Sequence, residues 1–153
     1  MELMEKPEEF AHECRIRDLY SRYFFELRSD ERVIATEHRC GTANVRADLL
    51  TIDKSNTLRE WEFKIRAEYK ALGQILTYVA LTREEKGFQR PVRGVIAAFE
   101  FQPEVKRAVE VLNLGIELIE IPAWMAKAGA IPVTTPQFSD VVLIPTSLPK
   151  FIR

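Results

Sequence analysis

Cysteine, histidine and glycine-rich turns are scarce in this chain, and each scarcity removes a class of function. Two cysteines, Cys14 and Cys40, stand among 153 residues, too few and too differently placed for a disulfide framework or a zinc cluster. They read as small core residues in a reduced, cytoplasmic compartment. No glycine-rich phosphate loop and no Cys-His or Ser-His pairing presents itself, and His12 and His38 read as isolated residues, at the surface or supporting a site from behind. No apolar run approaches the roughly 18 residues that cross a bilayer. The opening MELMEKPEEF is acidic and lacks the apolar centre of a secretory signal, so neither export nor a membrane is expected. Charge of one sign is missing too: 22 basic residues face 23 acidic ones, a net −1. Affinity for a polyanion has to come from a local patch.

Apolar residues make up 46% and charged residues 29%, ordinary for a folded domain. A chain of this length buries about 70% of the surface its unfolded form exposes, so one domain over 1–153 is expected, without repeat or low-complexity linker. Apolar residues recur at Ile16, Leu19, Tyr20, Tyr23, Phe24 and Leu27 with helical spacing, which predicts a helix over 7–28. Three extended segments follow at 32–40, 45–52 and 58–65. The turn residues 41–44 and 53–56 between them predict an antiparallel meander. A helix over 67–83 buries Leu72, Ile75, Leu76 and Val79, and Gly87 closes it. A strand over 93–101, a helix opened by Pro103 with Val105, Ala108, Val109 and Leu112 inward, and a strand over 116–121 complete the pattern. The last two strands, joined through a helix, run parallel. The expected fold is therefore α/β, a mixed central sheet flanked by helices, with a proline-interrupted tail over 122–153 in which only 141–144 looks extended.

Chemistry concentrates on the third strand. In Trp61-Glu62-Phe63-Lys64-Ile65 side chains alternate, so Trp61, Phe63 and Ile65 enter a core while Glu62 and Lys64 share the other face, about 7 Å apart. If Ile52 pairs with Leu58 around a five-residue turn, paired residue numbers sum to 110. Asp48 then lies opposite Glu62, and Arg46 opposite Lys64. A slip of one residue sends Asp48 to the other face. Two carboxylates repel unless a cation sits between them, and oxygen ligands near about 2.1 Å suit Mg²⁺. Such an ion with a lysine beside it is the equipment of phosphodiester hydrolysis; the same four charges also fit an ion-pair lattice on a solvated sheet face.

Two helices add candidates. Gln74 and Tyr78 sit four apart beside the buried stripe, with Lys70 one turn earlier, so an amide, a phenol and a cation can meet DNA or the site; the alternative is two residues at a helix boundary with no shared task. Extending the first helix's stripe backward reaches Glu13 and then Glu9. Either is a possible further metal ligand, Glu13 lying deeper, or an acid at the positive helix terminus. Glu37 on the first strand reads as a salt-bridge partner of Arg46 or Arg39.

This order resembles the PD-(D/E)XK nuclease superfamily: an acid on the first helix, Arg-Ala-Asp-Leu-Leu (46–50) on the second strand and Trp-Glu-Phe-Lys-Ile (61–65) on the third. The run from Gln74 to Tyr78 resembles the Gln-x-x-x-Tyr motif of the RecB-like branch. Arg93-Gly-Val-Ile-Ala-Ala (93–98) and Gly115-Ile-Glu-Leu-Ile (115–119) are similar to the catalytic domain of NucS-type mismatch endonucleases. The likeness covers about residues 9–121. It implies a restriction-endonuclease-like core in which Asp48, Glu62 and the Phe63 main-chain carbonyl bind Mg²⁺ or Mn²⁺, Lys64 is catalytic, and Gln74 and Tyr78 lie near DNA. Ala47 replaces the usual proline before the motif aspartate.

The expected function is a metal-dependent deoxyribonuclease, an endonuclease before an exonuclease, of repair, recombination, defence or a mobile element. DNA is the expected partner, with a homodimer or a specificity partner to lengthen the groove. The alternative is a catalytically silent module that binds nucleic acid or protein on the same fold.

Overall fold

The computed structural model describes residues 7–129; the extended segment expected at 141–144 lies outside them. In chain order the elements are α1 (Pro7–Arg22), α2 (Phe24–Leu27), β1 (Glu31–Arg39), β2 (Arg46–Asp53), β3 (Leu58–Ala67), α3 (Tyr69–Glu85), β4 (Val92–Phe101), α4 (Pro103–Leu112), β5 (Ile116–Glu120) and α5 (Trp124–Gly129). The five strands form one sheet in the order β1-β2-β3-β4-β5. β1, β2 and β3 pair antiparallel, and β3, β4 and β5 pair parallel. Each parallel step is made by a helix, because parallel neighbours need a crossover.

β3 and β4 are covered on both faces; β4 is accordingly apolar over most of its length, whereas β3 alternates and buries Glu60, Glu62 and Lys64 on one face. On one side Leu50, Leu58, Ile96 and Ala98 meet Ile75, Tyr78 and Val79 of α3. On the other, Leu49, Trp61, Phe63, Val95 and Ala97 meet Ile16, Tyr20 and Phe24, with Ile121 and Met125 closing the end. Trp61 sits among the rings of Tyr20, Phe24 and Phe63, and its Nε1 donates to Thr51 Oγ1 at 2.9 Å.

Three expectations are corrected. The helix expected over 7–28 breaks at Tyr23, whose backbone leaves the helical region (φ −103°, ψ 17°). The aromatic run 23–25 is costly in side-chain freedom inside a helix, and the Tyr23 ring packs edge-on against Trp124 at 5.7 Å. On α3, Leu76 is 37% exposed while Ala71, Tyr78 and Thr82 are buried, so the helix is rotated toward its polar side. On α4, Leu112 is 65% exposed and Val105 is fully buried. α5 had no counterpart among the expected elements.

α3 lies so close to β4 that Gly94 has no room for a side chain. A Cβ there would meet Ile75 Cγ1 at 2.6 Å, Ile116 Cδ1 at 2.7 Å and Val79 Cγ2 at 3.0 Å. Gly94→Ala is therefore expected to cost about 1–3 kcal/mol through overpacking, read as a lowered thermal midpoint. An unchanged midpoint would show that α3 yields freely.

Candidate active site

The cleft is made where the β2–β3 pairing ends. That ladder joins Ile52 to Leu58, Thr51 to Arg59, Leu50 to Glu60 and Leu49 to Trp61, the register in which paired numbers sum to 110. Past Leu49 the ladder stops, and Asp48 Oδ2 accepts the Phe63 N–H at 2.7 Å. On the other side of β2, the pairing passes from Thr36–Leu49 to His38–Ala47 without a Glu37–Asp48 rung, and Glu37 takes a left-handed backbone with φ 48°. Asp48 thus stands at a kink in the sheet. Two residues further along β3, Glu13 Oε2 accepts the Ile65 N–H at 3.0 Å. A strand residue points its N–H and carbonyl to the same neighbour. The Phe63 carbonyl therefore turns to the edge that Asp48 occupies.

These side chains line a cleft of about 180 Å³ together with Phe10, Cys14, Arg46, Glu62, Lys64, Gln74 and Tyr78. Lys64 Nζ lies 3.4 Å from Glu62 Oε1 and 3.8 Å from Glu13 Oε1. Glu62 and Lys64 do not face open solvent as a solvated lattice would: they are 5% and 8% exposed, because α3 covers that face of β3. Glu62 Oε2 and Gln74 Oε1 are buried without a hydrogen-bond partner among the described residues. Buried polar atoms are nearly always satisfied, so two orphaned oxygens in one cleft leave acceptor capacity for a group from outside. Three carboxylates, an amide oxygen and a main-chain carbonyl form an all-oxygen donor set, which fits a hard divalent cation.

Burial first, and then the charge of Asp48, push the Glu62 carboxyl well above the ordinary carboxylate range, against the pull of Lys64. Burial, followed by the charges of Glu62 and Asp48, also pushes the Tyr78 phenol up, so Tyr78 remains a hydroxyl at neutral pH. The linkage sign follows from Glu62. Its carboxyl holds a proton to higher pH when folded than when unfolded, so its contribution to stability is present at acid pH and is lost as pH rises through the folded value. Without divalent cation, Glu62→Gln is expected to raise the midpoint at neutral pH by roughly 2–4 °C and to flatten its decline between acid and neutral pH. A lowered midpoint at neutral pH would contradict a strained carboxylate.

Of the residues singled out in the sequence, Asp48, Glu62, Phe63, Lys64, Glu13, Gln74, Tyr78 and Arg46 share this cleft. Glu9 and Lys70 do not; they border an adjoining groove with Arg66 and Glu68. The ladder that would set Arg46 against Lys64 ends before reaching them, and Arg46 is exposed. Glu37 approaches Arg17, at 4.0 Å, instead of Arg39 or Arg46. Phe10 and Cys14 were not anticipated. Phe10 stands three residues before Glu13 on α1, a spacing that shares a helix face and could have flagged it.

The histidines are not isolated. His12 Nε2 is 3.3 Å from the Ala126 carbonyl. His38 Nδ1 lies 2.9 Å from Glu60 Oε2, an oxygen that also accepts from Thr82 Oγ1 at 2.6 Å and from Cys40 Sγ at 3.3 Å. Burial and the Glu60 charge push the Cys40 thiol up to about 12, so it stands there as an S–H donor.

Residues 12–131 match the protein family described as the endonuclease NucS C-terminal domain. No curated protein matches the chain. Among solved structures, a complex of EndoMS with double-stranded DNA is 25% identical, with a TM-score of 0.59 over 79% of this chain and 48% of that one. A repair endonuclease from Pyrococcus abyssi is 24% identical, with a TM-score of 0.57 over 80% of this chain and 50% of that one. Apo EndoMS is 23% identical, with a TM-score of 0.57 over 80% and 49%. The latter two speak for the fold alone, and this chain spans about half the length of all three.

Proposed function

Because the chain belongs to the family of the endonuclease NucS C-terminal domain, we propose that it is a DNA nuclease of the PD-(D/E)XK type with a restriction-endonuclease-like core, cutting phosphodiester bonds in the cleft between α1, β3 and α3. One observation carries this reading: Asp48, Glu62 and Lys64 converge on one buried cleft whose Glu62 Oε2 is unsatisfied. A silent binding module has no use for a desolvated carboxylate with one oxygen left unsatisfied.

Asp48, Glu62 and the Phe63 carbonyl would hold Mg²⁺ or Mn²⁺, with Glu13 at the rim. Bound there, the ion supplies Lewis acidity toward the phosphate and lowers the pKa of water. The remaining tasks fall to the chain. Lys64, held between Glu62 and Glu13, orients the attacking water and offsets negative charge as it grows on the phosphate. The Tyr78 hydroxyl and the Gln74 amide, carried by α3 over Glu62, would position the DNA backbone. Arg46 at the mouth and Lys70 in the adjoining groove attract phosphates, which fixes register without reading sequence. One cleft can cut one strand, and a duplex has two, so the working form would be a homodimer or a complex with a specificity partner.

The experiment offers linear duplex, single-stranded and branched DNA to the purified chain, with Mg²⁺, with Mn²⁺ or with chelator. Cleavage with either ion and none with chelator is the expected result. DNA binding without cleavage under every condition would favour the silent module.

A further inference from the structure

A second polar cluster lies on the α3 face of the sheet. His38 and Cys40 come from β1 and the residue after it, Glu60 from β3, and they meet across β2, the strand between. Their donor atoms all lie within 4.8 Å of one another. Glu60 and Cys40 are fully buried, and the His38 side chain is 20% exposed. The basic side chain beside Glu60 is that of His38, with Nδ1 2.9 Å from Oε2. Burying a carboxylate is costly unless a proton or a cation accompanies it.

We propose that His38, Cys40 and Glu60 form a binding site for a borderline transition-metal ion, zinc before others, separate from the all-oxygen cleft. The geometry is close to what such an ion needs. Zinc bonds of about 2.0–2.3 Å to nitrogen, oxygen and sulfur in a tetrahedron place ligand atoms roughly 3.2–3.6 Å apart. Here Nδ1 to Oε2 is 2.9 Å and Sγ to Oε2 is 3.3 Å, so these two edges have only to open by a few tenths of an ångström, and the third, Nδ1 to Sγ, is within 4.8 Å. Nitrogen, sulfur and oxygen in one set select zinc over magnesium. The partly exposed edge of His38 gives an entry path and leaves the fourth position to water.

Protons now stand where the ion would. Binding displaces the Cys40 thiol proton to solvent, along with any proton shared between His38 and Glu60, and makes three metal–ligand bonds. Thr82 Oγ1, at 2.6 Å from Glu60, keeps its hydrogen bond and fixes the carboxylate's orientation, the role that outer partners commonly play at metal centres. The ion would tie edge strand β1 to β3 beside the kink at Glu37.

The test uses the full chain, stripped with chelator and then held in excess Mg²⁺ so that hard sites are filled. Zn²⁺ is titrated by calorimetry, and Co²⁺ by its thiolate charge-transfer band. One equivalent with such a band is expected. Cys40→Ser should abolish the band, and His38→Gln should weaken binding by at least the roughly 10–100-fold that loss of an outer partner costs, while Asp48→Asn and Cys14→Ser leave both unchanged. Wild-type protein needs no folding control: Zn²⁺, and not Mg²⁺, should release at least about one proton per site. A band that survives Cys40→Ser, or that vanishes with Cys14→Ser or Asp48→Asn, overturns the proposal, as does Zn²⁺ binding without proton release. DNA cleavage is not read, so the outcome is independent of the nuclease assignment.

Discussion

Asp48→Asn is expected to lower Mg²⁺-dependent cleavage by about 10³-fold, the equivalent of losing roughly 4 kcal/mol of transition-state stabilisation. Asparagine is the informative replacement. Its side-chain oxygen can still accept the Phe63 N–H that Asp48 takes at 2.7 Å, so the strand edge stays capped and only the charge goes. Lys64→Ala should cost about 10²–10³-fold, the usual loss when one group that stabilises developing charge is removed. Lys64 is nearly buried between two carboxylates, so its removal also leaves them facing each other; a far-ultraviolet spectrum and the thermal midpoint establish that the variant is folded. DNA affinity, measured in Ca²⁺ or chelator, should change little in either variant. Cleavage by both at the wild-type rate would mean the activity belongs to a contaminant or to another part of the surface.

Trp61→Ala is expected to be the most damaging single change to the fold, about 3–5 kcal/mol, or roughly 10 °C in the midpoint for a chain of this size. Trp61 has no exposed surface. Its ring centroid lies 5.4 to 5.9 Å from those of Tyr20, Phe24 and Phe63, and the Arg28 guanidinium sits 5.1 Å above it. Truncation opens a cavity among three aromatic rings and strips Thr51 of the indole donor while Thr51 still holds Glu31. The cleft lies across the strand, on the face of Glu60 and Glu62. Well below its lowered midpoint, the Trp61→Ala protein should therefore cut DNA at close to the wild-type rate. A midpoint within a degree or two of wild type would contradict the role of this aromatic cluster.

The difference between these two variants was already visible as alternation along β3. Period-two spacing assigned Trp61 and Phe63 to one face and Glu62 and Lys64 to the other, and the turn length set the register that brings Asp48 to Glu62. Both are local rules, and local rules are what one sequence carries. The burial of Glu62 was not legible, because it depends on how far α3 rotates over the strand. Leu72 and Leu76 suggested an inward stripe, yet the helix turns Tyr78 and Thr82 inward over Glu62 and Glu60, trading one leucine's burial for two polar contacts. The meeting of His38, Cys40 and Glu60 was less legible still. These residues are two strands apart, and no spacing along the chain announces a contact made across an intervening strand. The break at Tyr23 reflects tertiary packing against Trp124, which lies about a hundred positions later in the chain.

Gln74, Tyr78 and Thr82 stand at successive four-residue steps on α3, the first two in the cleft and the third on Glu60. The four residues from Tyr78 to Thr82 advance about 6 Å of α-helix, so a stiff rod fixes the separation between the two polar centres. Heating that frays connecting loops leaves that ruler intact, and the pair should persist as a unit until α3 itself detaches from the sheet.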